Sequence, residues 1–109
     1  MRGRDSMSFA IRKLRVAEDD AVDAAVWYEE REPGLGDEFL NEVDAAVLAL
    51  ARDALLYRVR FADVRRAPVR RFKFYGIYYL IREQAIWVIA IHHGRRHPRW
   101  LQQRREKIG

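Results

Sequence analysis

Two apolar runs in the C-terminal half of the chain constrain the fold more than any other feature. The runs are "GIYYLI" at 76–81 and "AIWVIAIH" at 85–92, and only "REQ" separates them. Both are rich in β-branched and aromatic residues and are apolar at consecutive positions, which is typical of central strands covered on both faces. The short connection favours an antiparallel meander. The sequence therefore predicts a sheet whose middle needs a covering layer on each side.

Two amphipathic helices supply one of these layers. Between them, "EPGLGDE" provides turn residues, with Asp37 placed to cap the second helix. The acidic run Glu29, Glu30 and Glu32 is expected to form a solvated face. Each helix carries one apolar stripe at helical spacing, so we predict an antiparallel hairpin packed on the sheet. The stripes are Ala17, Ala21, Ala24, Ala25 and Tyr28 in the first helix and Phe39, Val43, Ala46, Val47, Leu50 and Ala54 in the second.

Two further strands are predicted from alternation. One lies in "SFAIRKLRV" at 8–16, and the other in "PVRRFKF" at 68–74, where Phe72 and Phe74 share a face. The segment "LLYRVRFAD" at 55–63 is irregular or a short strand. The order is then β-α-α-β-β-β, an α+β domain with a helical hairpin on a small, mainly antiparallel sheet. Only the tail "PRWLQQRREKI" remains for the second face, and the sequence does not identify what covers it.

The length of 109 residues suits one domain spanning 1–109, with 98–109 as a C-terminal tail. Residues 1–7 have no apolar pattern, so we expect a disordered or non-native extension, with Met1 and Met7 both open as the start. The chain contains no cysteine and no apolar run of about 20 residues. We therefore expect a cytoplasmic protein without disulfides that does not associate with a membrane.

Charge is distributed unevenly along the chain. Residues up to Tyr57 include 7 basic and 13 acidic side chains, whereas those from Arg58 onward include 14 basic and 3 acidic ones, for a net charge of +5. Such a basic half indicates a face that meets phosphates or an acidic protein, and charge alone does not choose between them. A basic surface that serves only solubility is the third alternative. Basic residues are most concentrated in the stretch "HHGRRHPRW" at 92–100, at the end of the last predicted strand.

Three segments together resemble the RelE/ParE superfamily of toxins from type II toxin–antitoxin modules. They are "AEDDAVDAAVWYEEREPGLGDEFLNEV", "RRAPVRRF" with "YGIYY", and "IWVIAIHHGRRHP", and they span roughly residues 8–100 in the family's order. The resemblance implies the same β-α-α-β-β-β order. The residues of the helical hairpin and of "RRAPVRRF" resemble the ParE branch more closely than the RelE branch.

The two branches imply different chemistry. Toxins of the RelE branch cut messenger RNA on the ribosome, which needs a proton-transfer group and cations around phosphorus. If this chain is such a nuclease, the candidates are His92 for proton transfer and Arg71, Arg95 and Arg96 for the cations. Toxins of the ParE branch poison DNA gyrase, and the same arginines would then bind the target without turnover. An inactive relative that binds only its antitoxin is the third hypothesis.

The resemblance also implies a cognate antitoxin and a hetero-oligomer with it. We predict that the antitoxin covers apolar positions of the second helix that lie off the core stripe, together with an arginine: Leu40, Leu48, Ala51 and Arg71. The predicted target-binding residues are Arg70, Arg71, Lys73, Arg95, Arg96 and Trp100. Trp100 is alternatively a cap over the sheet edge. The histidines of "HHGRRH" lack an obvious fourth ligand, so we expect no metal, and no cofactor is implied.

Overall fold

The computed structural model describes residues 8–94 and 98–109 and has the α+β architecture that the sequence predicts. Its elements are β1 (Ala10–Lys13), α1 (Arg15–Arg31), α2 (Leu35–Asp53), a one-turn 3-10 helix (Ala54–Leu56), β2 (Val59–Phe61), β3 (Val64–Pro68), β4 (Tyr75–Arg82), β5 (Ala85–His93) and α3 (Arg99–Glu106). Four strands follow the hairpin because "LLYRVRFAD" contributes the short β2. The predicted extension at 1–7 lies outside the described residues. None of the helices described is long and apolar enough to cross a membrane.

The five strands form one mixed sheet in the order β1-β5-β4-β3-β2. β1 runs parallel to β5, and the other neighbouring pairs are antiparallel, as the meander predicts. β4 and β5 are the longest strands and lie at the centre. The register between them shifts where Tyr78 faces Ala90 and Tyr79 faces Val88, so Ile89 is a bulge residue without a partner in β4.

The helical hairpin covers one face of the sheet, and the predicted apolar stripes form its core. The capping prediction is wrong, however, because α2 begins at Leu35 and Asp37 lies within its first turn. The carboxylate of Glu29 accepts hydrogen bonds from the backbone N–H groups of Gly34, at 2.9 Å, and Gly36, at 3.0 Å. One residue of the expected solvated face of α1 therefore satisfies the free N–H groups at the start of α2.

The C-terminal tail covers the other face. Residues 99–106 form α3, whose Leu101 is fully buried against Tyr78, Leu80 and Ile89. The segment has little apolar periodicity because most of its other side chains are charged or amide groups. This composition explains why the sequence alone does not assign the second layer to the tail.

The strand predicted at "PVRRFKF" is wrong. β3 ends at Pro68, and residues 69–74 form a loop in which Val69 N–H donates to the carbonyl of Tyr75 at 3.2 Å. Phe72 inserts among the rings of the hairpin, including Tyr28, whereas Phe74 is 71% exposed. The alternation of aromatic and basic residues therefore arises from one inward and one outward phenylalanine in a loop, not from the pleat of a strand.

An ion pair takes the place of a neighbouring strand along the end of β5. β1 pairs with β5 only as far as Val88. Beyond that point, Asp20 of α1 accepts the N–H of Ile91 at 3.0 Å, and Arg104 of α3 donates to the carbonyl of Ile89 at 3.0 Å. Arg104 and Asp20 also bond to each other through two nitrogens and two oxygens, at 2.6 and 3.1 Å. Both side chains are less than one fifth exposed.

We expect Asp20→Ala to lower the free energy of unfolding by about 3 kcal/mol, because it leaves Arg104 and the Ile91 N–H group unpaired in a shielded position. Asp19→Ala is the matched control, since Asp19 is exposed and lies 3.9 Å from Arg15. The control should change stability by less than about 0.5 kcal/mol. Urea unfolding followed by circular dichroism measures both, and equal losses would contradict the role assigned to Asp20.

Candidate functional site

The predicted target-binding residues fall into two groups at one end of the sheet. Arg70, Arg71 and Lys73 are exposed on the loop 69–74, and Trp100 is half-buried in the first turn of α3. Arg95 and Arg96 lie outside the described residues. The loop meets the end of β5 directly, because Gly94 N–H donates to the carbonyl of Phe74 at 2.6 Å.

Within the loop, two of the cations face α2. Arg71 Nη2 lies 2.8 Å from Glu38 Oε1, and Arg70 borders a cleft of about 400 Å³ against the same helix. The hydrogen bond that Arg71 donates to Glu38 raises the pKa of Arg71, so the guanidinium stays charged. Arg71 also has a φ of 72°, which is uncommon for a residue with a side chain. Backbone strain of this kind is concentrated at functional sites.

His92 has a different environment. Its ring contacts Trp100 edge-on, with 5.0 Å between centroids, and lies 6.4 Å from Tyr78. Burial lowers the pKa of His92; Asp20 opposes this shift, whereas His93, Arg104 and Arg66 add to it. The imidazole is therefore held mainly in its neutral form near neutral pH.

The described nuclease candidates are not gathered around one point. Arg71 bonds to α2, and its loop neighbour Phe72 belongs to the core on the hairpin side of the sheet. His92 instead contacts Tyr78 and Trp100, which pack on the α3 side. Trp100 also has the Arg104 guanidinium over its ring, 4.5 Å from the centroid, so part of its stacking surface is occupied within the chain.

An open cleft of about 500 Å³ lies between α1 and the end of β5. Burial raises the pKa of Tyr28 and of Tyr75, so both phenols remain protonated and can donate hydrogen bonds. The polar groups that the described residues contribute to the lining are carboxylates, phenols and imidazoles, which can form hydrogen bonds with a ligand. The lining residues are Asp20, Asp23, Ala24, Trp27, Tyr28, Tyr75, Ile91, His92 and His93.

Within 8–94 and 98–109, no three histidine, aspartate or glutamate side chains are grouped so that they could hold a metal ion. His97 of "HHGRRH" lies outside these ranges. His92 and His93 leave opposite faces of β5, as alternation predicts, and only His92 is shielded.

The predicted antitoxin-binding residues differ in exposure. Leu40 packs against the core, Ala51 is half-buried, and Leu48 is 68% exposed. The structure adds Leu55 and Leu56, which are 66% and 75% exposed and follow Leu48 by seven and eight residues. We call Leu48, Leu55 and Leu56 the leucine patch. The pair "LL" directly after the apolar stripe of α2 is the sequence signal that could have identified this patch.

Sequence reasoning also missed Arg66, which is only 6% exposed. Its Nη2 donates to the carbonyls of Phe74, at 3.3 Å, and Gly94, at 3.2 Å. A Cβ atom at Gly76 would lie 2.3 Å from Arg66 Nε, so the glycine leaves the space that the guanidinium fills. A glycine inside a strand of bulky residues often marks such a close approach, and this signal was available in the sequence.

Much of the basic half is engaged within the chain. Arg105 pairs with Asp63 through two hydrogen bonds, at 2.5 and 3.0 Å, and Arg65 donates to the Tyr57 carbonyl at 2.5 Å. Arg82 donates to the carbonyl of Gly109 at 2.7 Å. The excess of positive charge is therefore partly structural, and among the described residues the loop 69–74, which is bonded to Gly94 just after β5, carries exposed cations.

A helical hairpin on a mixed five-stranded sheet, with exposed cations at one end, is the α+β architecture expected for the superfamily that the sequence resembles. A family profile described as "ParE toxin of type II toxin-antitoxin system, parDE" matches residues 11–98, and the chain belongs to this family. The protein described as "Chromosomal ParDE TA system from P. aeruginosa" is similar in structure, with a TM-score of 0.71 and 15% identity. The match covers 82% of this chain and 99% of that chain, and at this identity it shows the fold alone. No protein of curated function matches the sequence.

Acidification should weaken the fold through His92. Because burial lowers its pKa below the ordinary 6.5, the unfolded chain binds the proton more readily, and the unfolding free energy falls as the pH drops below 6.5. His92→Gln should therefore lose less stability than the wild type between about pH 7.5 and pH 5.5. Urea unfolding at the two pH values measures this. His93→Gln, at the exposed neighbouring position, should keep the wild-type dependence; equal dependence in all three proteins would contradict the assignment.

Proposed function

We propose that this type II toxin stops growth in the cytoplasm by binding DNA gyrase and that a cognate antitoxin silences it by covering its surface. The family match over residues 11–98 carries the proposal, since it selects the ParE branch of the superfamily. The exposed cations of the loop 69–74 are suited to pair with carboxylates of gyrase or with the phosphates of DNA held by it.

Among the described candidates, which do not include Arg95 and Arg96, the separation of His92 from Arg71 favours binding over RNA cleavage. Cleavage needs a proton-transfer group within hydrogen-bond reach of the reacting hydroxyl and a cation at the same phosphate. His92 packs against Trp100 on the α3 side, while Arg71 pairs with Glu38 on the hairpin side. A target-binding protein needs no such convergence, because its cations can act as separate interface contacts.

The leucine patch supports a protein partner. Three leucines that are each at least 66% exposed at one end of α2 form an apolar surface of the kind that mediates protein association. Arg52 on α2 and Arg58 just after the patch are also exposed, so a partner segment with apolar and acidic residues would be complementary. We assign the antitoxin to this surface, and the toxin then forms a hetero-oligomer with it.

Controlled expression of the chain in a bacterial host tests the target. We expect growth arrest with loss of DNA supercoiling and filamentous cells before any loss of messenger RNA, and rescue when the neighbouring antitoxin gene is co-expressed. Purified toxin should inhibit supercoiling by gyrase in the absence of ribosomes. Messenger cleavage at defined codon positions before any change in supercoiling would instead support the ribosome as the target.

Arg71→Ala should reduce inhibition of gyrase by roughly tenfold, because it removes a guanidinium that pairs with anionic groups of the target. Its exposed position means that the fold should be retained. Glu38→Gln is the matched control, because it removes the partner of Arg71 in α2 and leaves the guanidinium in place. The control should inhibit at least as well as the wild type. An unchanged Arg71→Ala in the supercoiling assay would remove Arg71 from the target-binding surface.

Leu48→Glu should weaken antitoxin binding by about 30-fold, since it places a charge on the apolar surface that the partner buries. Val22→Glu is the matched control, because Val22 is 53% exposed on α1 and lies off the patch. Titration calorimetry with the antitoxin measures the affinity, and thermal unfolding checks that both variants fold. Equal affinities for the two variants would place the antitoxin elsewhere.

A further inference from the structure

Arg66 is a buried cation without a carboxylate partner. Within the described residues, it is the one charged side chain that is more than nine-tenths buried. Its hydrogen bonds go to two backbone carbonyls, its Nε has no partner, and its guanidinium carbon lies 5.7 Å from the centre of the Tyr78 ring. Burying a cation in this way is unfavourable compared with an apolar residue of similar size. Stability alone therefore does not explain an arginine at this position.

The two carbonyls belong to segments that are distant in sequence. Phe74 ends the loop that carries Arg70, Arg71 and Lys73, and Gly94 immediately precedes residues 95–97. A single nitrogen of Arg66 donates to both carbonyls. The Tyr78 hydroxyl also donates to the carbonyl of Gly94, at 3.4 Å, and Gly94 itself has a φ of 90°. Arg66 thus joins the end of the loop 69–74 to Gly94, the residue that follows β5.

Gly76 makes this arrangement possible. Tyr78 pairs with Arg66 across β3 and β4, and Pro68 pairs with Gly76, so the arginine side chain extends past the glycine towards the loop. A Cβ atom at position 76 would lie 2.3 to 2.7 Å from three atoms of the guanidinium group. Any larger residue at 76 would have to displace Arg66, and its contacts with Phe74 and Gly94 would be lost.

We propose that Arg66 is a positioning residue, which holds the basic loop 69–74 against the end of β5 in the placement that target binding requires. The inference rests on the proposed function, because it assigns target binding to this loop. Arg66 does not touch the target in this proposal. It acts by fixing backbone carbonyls, and lysine cannot replace it, because an ammonium group lacks the planar fork and the reach of guanidinium.

The test compares target binding with antitoxin binding in the same variants. We expect Arg66→Lys and Arg66→Met to inhibit gyrase about tenfold less than the wild type, as displaced binding groups do. Affinity for the antitoxin should fall less, by no more than about threefold, since the leucine patch is remote from the loop and would still be bound. Amide hydrogen exchange at Gly94 should accelerate in both variants. Arg65→Met is the matched control, because the neighbouring Arg65 bonds to Tyr57 and not to the loop; it should retain inhibition.

Gly76→Ala provides an independent perturbation and covers the case in which an Arg66 variant does not fold. It should reproduce the loss of inhibition in the wild-type background. In the Arg66→Met background it should add little, because the flexible methionine can move aside and the guanidinium is already absent. Additive losses in this double-mutant cycle would show that Gly76 does not act through Arg66, which would overturn the proposal.

The outcomes separate the inference from the function on which it rests. Full inhibition by Arg66→Met or Arg66→Lys, in a preparation where the wild type is active, overturns the inference alone. Parallel losses of gyrase inhibition and antitoxin affinity also overturn it, because they indicate a general defect of the fold. A wild-type chain that inhibits neither growth nor gyrase overturns the proposed function and the inference together.

Discussion

The second face of β4 and β5 is covered by a helix that has little apolar surface of its own. In α3, Leu101 is the one fully buried side chain, with Trp100 half-buried beside it. Two ion pairs compensate for this small contact area, since Arg104 binds Asp20 of α1 and Arg105 binds Asp63 at the β2–β3 turn. Paired hydrogen bonds between guanidinium and carboxylate fix orientation as well as distance. These pairs fix α3 to α1 beside β5 and to the turn between β2 and β3, so α3 stays over the central strands.

Ion pairs between the two halves of the chain also use part of its charge asymmetry, because they join acidic residues of the N-terminal half to basic residues of the C-terminal half. The acidic N-terminal half and the basic C-terminal half pair with each other: Asp20 contacts Arg104 in a shielded position, and Glu38 contacts Arg71 at the surface. A basic half of a sequence is therefore not the same as a basic face of a molecule. Within the described residues, the loop beside β5 exposes Arg70, Arg71 and Lys73 to an anionic target, and Glu38 partly neutralises Arg71.

The sequence predicts those parts of the fold that depend on local periodicity. The apolar stripes of α1 and α2 and the continuous apolar runs of β4 and β5 each arise from one repeating pattern, and the structure agrees with them. The segment that forms the loop 69–74 was predicted as a strand, and no helix was predicted for the tail that forms α3. Phe72 and Phe74 alternate with basic residues as in a strand. The segment forms a loop instead, because Phe72 inserts into the hairpin core.

The candidate site was less predictable because it depends on contacts between residues that are distant in sequence. Arg66 is indistinguishable in sequence from Arg65, and only the space above Gly76 and the carbonyls of Phe74 and Gly94 separate their roles. These contacts join residues up to 28 positions apart. No periodicity records such contacts, whereas the glycine within an apolar strand is a local sign that something approaches closely.

The geometry of α2 constrains how an antitoxin could silence the toxin. Glu38, which binds Arg71, lies in the first turn of α2, and the leucine patch lies at its other end. At a rise of 1.5 Å per residue, Leu48 lies about 15 Å from Glu38 along the helix axis, and the end of α2 at Asp53 lies about 22 Å from it. A short segment bound to the patch alone would leave the loop 69–74 free to meet its target. Silencing by direct masking therefore requires a partner that follows most of α2, which an extended segment of about five to seven residues or a helix of about ten to fifteen can do.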